Sequence, residues 1–121
     1  MENDERHYTV RDLLLAELPV PVVYDHYHHS LNPSQFKPEE LLSTWGDRTP
    51  EFHLSSKPEG KHRFGEHGEW VRLEDFLEFL EMFGGNRIDL VLEVKSKEKA
   101  VERLIQEIHA SDGRALKLAQ D

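Results

Sequence analysis

Short strand-like runs alternate with longer amphipathic stretches along this chain. The runs that predict strands through β-branched, aromatic or alternating apolar residues are VVY at 22–24, EFHLSS at 51–56 and IDLVLEV at 88–94. The stretches that predict helices through helical spacing of apolar residues are 9–17, 38–45, 72–83 and 96–108. Strands that alternate with helices at this spacing predict an α/β fold with parallel strands.

Capping and turn residues give the boundaries of these elements. Thr9 is suited to cap the first helix with its side-chain oxygen, and Pro19 ends that helix. The turn-rich segment 30–38 predicts a loop, and Pro38 fits the first turn of the next helix. Gly84 follows the third amphipathic stretch as a C-terminal signal.

Composition limits the class of protein. The 121 residues suffice for one modest domain, and no apolar run approaches the roughly 20 residues of a membrane span. The N-terminal residues lack the apolar core of a signal peptide, and the chain has no cysteine. We therefore expect a cytoplasmic protein without a membrane partner.

Charge and histidine content point in different directions. The formal net charge is −9, whereas nucleic-acid binding normally depends on basic surface. Bound cations or a second chain would have to supply positive charge for contact with phosphate. Of the eight histidines, five lie between His26 and His62, and His67 follows.

Residues that can bind metal ions follow each predicted strand. Asp25 and His28 follow the first strand, His53 lies near the end of the second, and Glu93 lies near the end of the third. The carboxyl ends of parallel strands share one edge of a sheet, where α/β proteins build their sites. Imidazole and carboxylate together suit zinc, manganese or iron. The sequence therefore predicts a metal site at this edge.

Structural roles compete with this interpretation. An aspartate after a strand usually caps a helix or forms a turn, and loop histidines are usually solvated, so spacing alone does not choose between His62 and His67. Glu93 is harder to explain structurally, because an unpaired buried carboxylate costs several kcal/mol. We expect His26 and His29 to point away from His28 and to be supporting or surface residues.

Five blocks, in order, resemble the UV damage endonuclease family. The blocks are ENDER, PVVYDHYHHSLNP, PEFHLSS, GEHGEWV and LVLEVKSKEKAV, and they cover most of residues 2–105. The resemblance implies a TIM-barrel metalloenzyme, related to the apurinic endonucleases, that nicks DNA on the 5′ side of UV photoproducts.

The resemblance also implies the site residues. The implied ligands of a divalent cluster, with manganese expected and zinc or magnesium as alternatives, are Glu2, Asp25, His28, His53, His67 and Glu93. It implies His53 and Glu51 as catalytic residues. Glu51 stands where the family often has a lysine described as carrying a carboxylate modification, so here an unmodified carboxylate on a shorter arm takes that place.

The family barrel has eight βα units and typically about 250 residues. We therefore expect residues 1–121 to form a single partial TIM-barrel domain, about the C-terminal half. The expected partners are UV-damaged DNA and an N-terminal half-barrel or a second copy of the chain. Two alternatives remain: another hydrolase or isomerase of the AP endonuclease and xylose isomerase-like barrel group, and a non-catalytic remnant.

Overall fold

The computed structural model describes residues 1–120, with side chains through residue 110, and has an α/β fold. The helices are α1 (Val10–Leu15), α2 (His26–Leu31), α3 (Pro38–Ser43), α4 (Leu73–Phe83) and α5 (Glu98–Gln120). The strands are β1 (Glu51–Leu54) and β2 (Asp89–Leu92). Among the described residues, no helix combines the length and apolar character that crossing a bilayer requires.

The strands are parallel, as the alternation of elements predicts. β1 pairs with β2 in a register that runs from Glu51 opposite Asp89 to Leu54 opposite Leu92. Two isolated parallel bridges, Glu2 with Val23 and Asp25 with His53, extend the row. Four parallel segments therefore lie side by side and form what is here called the row: residues 1–3, residues 22–25, β1 and β2. Their carboxyl ends form a common edge.

The predicted strand at 22–24 is held by a helix end as well as by its neighbouring segments. The N–H of Val22 donates to Thr44 Oγ1 at 3.0 Å, and Trp45 Nε1 donates to the carbonyl of Val22 at 2.9 Å. Further along, the N–H of His53 donates to the carbonyl of Tyr24 at 2.8 Å. Side chains at the end of α3 thus satisfy Val22, and the segment joins the row through single bridges.

Helices pack against only one of the two faces of the row. Phe52 and Leu54 are fully buried on the face that the helices pack against, here called the helix-covered face. Alternation places Glu51 and His53 of β1 on the opposite face, here called the open face, together with Asp89 and Val91 of β2. Val91 is 39% exposed. The apolar core lies on the helix-covered face alone.

Helical side chains complete the core. Phe52 and Phe83 have ring centroids 5.1 Å apart, and Tyr24 lies 5.1 Å from the same Phe83 ring. The other buried core residues contributed by helices are Val10, Leu13, Leu41, Phe79, Ala100 and Leu104. Burial of aromatic side chains is a large apolar contribution to folding, so this cluster anchors the helices to the row.

Two local predictions have different outcomes. Thr9 caps α1: its side chain accepts from the N–H of Asp12, and the Asp12 carboxylate accepts from the N–H of Thr9. The predicted loop at 30–38 begins too early, because residue 30 still belongs to α2. The sequence does not predict α2, since six residues with three histidines show no apolar period.

Candidate metal centre

Side chains from all four parallel segments meet at the common edge. One ligand atom from each member of a group lies within 4.8 Å of every other, and this group, here called the four-residue cluster, consists of Glu2, Asp25, His53 and Glu93. Ligand atoms that share one ion each lie about 2.0–2.2 Å from it, so the separations here are close to those of a single coordination shell. The edge predicted from strand ends is therefore where these groups converge.

His53 has close neighbours but no hydrogen bond at Nδ1. This atom lies 2.9 Å from Glu2 Oε1 and 2.6 Å from Glu93 Oε1. Neither contact has the direction of a hydrogen bond, and the atom is buried without a hydrogen-bond partner among the described residues. Contacts of this kind arise when several atoms that can ligate a metal ion face a common point between them.

Asp25 contributes a second buried atom in the same condition. The residue is 1% exposed, and its Oδ2 lacks a hydrogen-bond partner within the described part of the chain. Burying a polar atom without a partner costs free energy, more so for a charged group. A cation between His53 Nδ1 and Asp25 Oδ2 would satisfy both atoms, so the four-residue cluster fits a divalent metal ion.

Asp25 also has the structural role that competes with a metal site. Its Oδ1 accepts from the N–H of His28 at 2.9 Å and caps α2. The cap turns the chain so that His28 Nδ1 lies 3.4 Å from both Glu2 Oε2 and Asp25 Oδ2. One carboxylate therefore starts the helix and faces the cluster, and the two interpretations are compatible.

The carboxylates have opposite pKa shifts. Desolvation raises the pKa of Asp25 to about 7, despite the hydrogen bond from the N–H of His28. Burial also opposes the charge on Glu2, but the adjacent imidazoles of His28 and His53 hold its pKa well below the usual range. The carboxyl group of Asp25, buried beside other carboxylates, would therefore lose its proton readily when a cation binds.

Both imidazoles are shifted towards the charged form. Partial burial opposes the charge on His28, but the nearby carboxylates of Glu2 and Asp25 raise its pKa to about 9. The adjacent Glu2 carboxylate raises the pKa of His53 to about 9 against desolvation, and the charge of Glu93 adds to it. In the metal-free protein, these imidazolium groups balance the carboxylates.

The other predicted site residues border the four-residue cluster. The ring of His67 lies 6.4 Å from the ring of His28, so the structure brings these two together. His62 is exposed, with Nδ1 2.8 Å from the carbonyl oxygen of Gly60. Glu51 Oε1 lies 3.6 Å from His53 Nε2, and the Glu51 side chain is 56% exposed.

Hydrogen bonds at the residues before and after His67 hold its loop in place. Tyr27 Oη donates to the carbonyl of Glu66 at 3.0 Å, and the N–H of Gly68 donates to the carbonyl of Ser56 at 2.7 Å. A Cβ at Gly68 would lie 2.9 Å from the carbonyl oxygens of Ser56 and Lys57, so only glycine allows this approach. Backbone contacts therefore set the position of His67.

His26 and His29 lie apart from the four-residue cluster, as expected from alternation. His26 is 5% exposed, so it is a buried residue, and its Nδ1 lies 2.7 Å from Tyr24 Oη. His29 packs edge-on against Phe36 with a centroid distance of 5.1 Å. The expectation of a surface position is wrong for His26, because the first turn of α2 directs it into the aromatic core.

Sequence reasoning missed Asn3 and Glu5. Asn3 is 1% exposed and forms two hydrogen bonds with the backbone of Asp25. Glu5 Oε2 lies 3.5 Å from His28 Nε2. The available signal was their place in the ENDER block, but neither residue follows a run with strand-like periodicity.

Comparison with known proteins gives consistent matches. The family described as UV-endonuclease UvdE matches residues 1–117. The UV DNA damage endonuclease of Bacillus cereus (strain G9842) is 34% identical over 93% of this chain. That of Bacillus thuringiensis subsp. konkukian (strain 97-27) is 32% identical over 93% of the chain.

One solved structure shares the fold. The crystal structure of SacUVDE matches with a TM-score of 0.73 and 26% sequence identity, over 92% of this chain and 39% of that chain. The chain spans 38% of the length of the two curated relatives. The family match over residues 1–117 includes every segment that contributes to the four-residue cluster. This chain belongs to the UV-endonuclease UvdE family.

Proposed function

We propose that this chain is the metal-binding part of a metal-dependent endodeoxyribonuclease that nicks DNA on the 5′ side of UV photoproducts. The observation that carries the proposal is the convergence of ligand atoms from four parallel segments within 4.8 Å. Membership of the family and the names of the relatives support an endonuclease that acts on UV-damaged DNA.

The proposed ion is a divalent metal, with manganese preferred and zinc or magnesium as alternatives. Mixed carboxylate and imidazole donors suit manganese and zinc, and carboxylate-rich sites also accept magnesium. The residues that would hold it are those of the four-residue cluster, with His28 and His67 as further ligands at the border. When bound, such ions lower the pKa of a coordinated water and offset negative charge at a phosphate.

Residues on the open face would assist the reaction. His53 directs Nδ1 towards Glu2 and Glu93, while its Nε2 lies 3.6 Å from Glu51 Oε1. We assign Glu51 the role of orienting His53 and of accepting a proton at the exposed side of the site. Its exposure leaves this carboxylate accessible to an incoming substrate.

We further propose that residues 1–121 form a single domain, about the C-terminal half of a TIM barrel. Within the described residues, β2 pairs with β1 alone, and residues 1–3 pair with residues 22–25 alone. Apolar side chains are exposed on α1 and α5, including Leu15 at 70% and Ile105 at 46%. Such edges favour pairing with another polypeptide.

The partner would complete the barrel and supply positive charge. A second copy of this chain would bring another −9, whereas DNA contact requires lysine and arginine near phosphates. We therefore favour an N-terminal half-barrel polypeptide over self-association. The basic groups that hold DNA would belong largely to that partner.

A reconstitution experiment tests the proposal. The chain is mixed with a separately produced N-terminal portion of the Bacillus cereus relative, and nicking of supercoiled plasmid is followed with Mn²⁺. We expect nicks in UV-irradiated plasmid only when both polypeptides and the metal are present. Glu93→Gln in this chain is the matched inactive variant.

Two controls make the result decisive. Unirradiated plasmid tests lesion dependence, and calorimetric titration of the chain with Mn²⁺ tests the metal site separately. If the chain binds Mn²⁺ and forms the complex while the irradiated plasmid stays intact, that result would contradict the proposed endonuclease activity. A chain that binds no divalent ion would contradict the metal site itself.

A further inference from the structure

We propose that Asn3 is a positioning residue that sets the orientation of His28. The side chain of Asn3 accepts a hydrogen bond that its own backbone carbonyl would accept in a regular parallel sheet. The inference rests on the proposed metal site, because His28 matters as a ligand at its border. Asn3 would not touch the substrate or the ion. It would act through the backbone of Asp25 and the ring of His28.

The hydrogen-bond pattern of the first two segments carries the proposal. The N–H of Val23 donates to the carbonyl of Met1 at 2.6 Å, which belongs to the parallel bridge between Glu2 and Val23. In a regular parallel ladder, the next bond of this type would run from the N–H of Asp25 to the carbonyl of Asn3. Instead, the N–H of Asp25 donates to Asn3 Oδ1 at 2.8 Å.

The same carboxamide satisfies the other backbone group of Asp25. Asn3 Nδ2 donates to the carbonyl of Asp25 at 3.0 Å. Asn3 and Asp25 are each 1% exposed, so water does not compete for these bonds. A side chain with one donor and one acceptor at this distance imitates a neighbouring strand and closes the row at Asp25.

Because the side chain of Asn3 accepts this hydrogen bond, the backbone carbonyl oxygen of Asn3 is left for another donor. His28 Nδ1 lies 2.9 Å from that oxygen. The contact requires a proton on Nδ1, so a ring that gives up one proton to bind a metal ion would offer the lone pair of Nε2. An imidazole that ligates a metal through one nitrogen usually donates from the other to a carbonyl or carboxylate.

The neighbours of Nε2 agree with this assignment. Nε2 lies 3.5 Å from Glu5 Oε2, and the ring of His67 is 6.4 Å from that of His28. The orientation that Asn3 imposes thus leaves the available nitrogen on the side of the ring that faces Glu5. Without the carboxamide, the N–H of Asp25 and His28 Nδ1 would compete for one carbonyl oxygen.

Two substitutions separate positioning from simple packing. Asn3→Ala removes the carboxamide, so we expect the regular backbone bond to form and His28 to lose its acceptor. Asn3→Asp keeps Oδ1, and a buried protonated carboxyl group can also donate to the carbonyl of Asp25. The matched control is Asn32→Ala, which removes a bond of 3.2 Å from Asn32 Nδ2 to the carbonyl of Asp4.

Metal affinity is the first measurement. Calorimetric titration with Mn²⁺, performed well below the unfolding temperature of each variant, should show about a 10- to 100-fold loss for Asn3→Ala. Asn3→Asp should remain within about threefold of the unsubstituted chain, and so should Asn32→Ala. A merely structural asparagine would lower the unfolding temperature without changing affinity in the folded protein. Affinity of Asn3→Ala within twofold of the unsubstituted chain would overturn the proposal.

The second measurement reads His28 directly. In the chain loaded with diamagnetic Zn²⁺, nitrogen-15 spectra should show His28 with a proton on Nδ1 and metal on Nε2, both in the unsubstituted chain and in Asn3→Asp. The opposite tautomer in either protein overturns the proposal, even if Asn3→Ala fails to fold. An unsubstituted chain that binds neither ion would instead reject the proposed metal site, and this inference with it.

Discussion

Phe52 and His53 are neighbours in β1, yet their environments differ in kind. Phe52 is fully buried among aromatic rings on the helix-covered face, where each apolar side chain finds partners within the chain. His53 lies on the open face among carboxylates, with a buried nitrogen that lacks a hydrogen-bond partner in the described residues. One face therefore supplies folding free energy, and the other holds the carboxylates and imidazoles for which we propose a bound cation.

The same division separates the histidines of α2. His26 is buried beside Tyr24 and Phe79, and its ring belongs to the aromatic core. His28, two residues later, contacts Glu2 and Asp25 at the common edge. Helix geometry turns consecutive side chains by about 100°, so a histidine-rich stretch serves both faces. The faces can be tested separately by substitution.

The largest expected effect is on the helix-covered face. Phe52→Ala removes a fully buried ring and leaves a cavity, so we expect the free energy of unfolding to fall by about 3–5 kcal/mol. Val91→Ala, on the open face and 39% exposed, should cost less than about 1 kcal/mol. Urea denaturation in the presence of EDTA measures both. Equal costs would mean that the faces are covered alike.

The next effect belongs to the open face. Asp25→Asn should lower Mn²⁺ affinity at least tenfold, or about 1.4 kcal/mol, because a charged donor is lost. Metal-free stability should change little, since asparagine also caps helices. Asp12→Asn is the control, because the Asp12 carboxylate accepts from the N–H of Thr9 in another cap. Calorimetry should find its Mn²⁺ affinity unchanged, and a loss of similar size there would refute the assignment.

The pH dependence of stability should differ between the metal-free and the metal-bound protein. The pKa values of His28 and His53 are raised to about 9 from 6.5, so their contribution is complete below pH 6.5 and is lost as pH rises through 9. Metal-free protein should therefore lose more than about 1 kcal/mol between pH 6.5 and 9. Stabilisation by saturating Mn²⁺ should grow over the same range, because protons cease to compete for the imidazoles.

Thermal unfolding in EDTA and in Mn²⁺, at pH 6.5, 7.5 and 9, checks both slopes. His53→Gln should reduce the metal-free slope, since one of the two shifted imidazoles is then absent. Metal-free stability that increases with pH over this range would show that the carboxylates do not hold the imidazoles in their charged form.

Much of this arrangement could be predicted because its signals are local. The parallel order followed from alternating periodicities, and the convergence of Asp25, His53 and Glu93 followed from their positions at strand ends. Glu2 was found only through resemblance, because a two-residue bridge has no periodicity to detect. Short pairing segments are invisible to any argument that needs several repeats of a pattern.

The parts that escaped prediction depend on tertiary contacts. α2 has six residues and is started by Asp25, so its helical state follows from a cap and packing more than from propensity. The role of the Asn3 carboxamide requires knowledge of which strand lies beside it. Spacing also could not choose His67 over His62, since the choice depends on how the loop is fastened.

The smallest expected effect marks the boundary of the proposed metal centre. Glu51 is 56% exposed and contacts His53 Nε2 at 3.6 Å, on the side of the ring away from Glu2 and Glu93. Exposed ion pairs contribute about 0–1 kcal/mol, so Glu51→Gln should weaken Mn²⁺ binding by at most about fivefold. Its effect should appear instead in the nicking rate of the reconstituted complex, because the proposed role is proton transfer. If calorimetry finds a loss as large as that of Asp25→Asn, Glu51 is a ligand, and the proposed metal centre extends along β1 to Glu51.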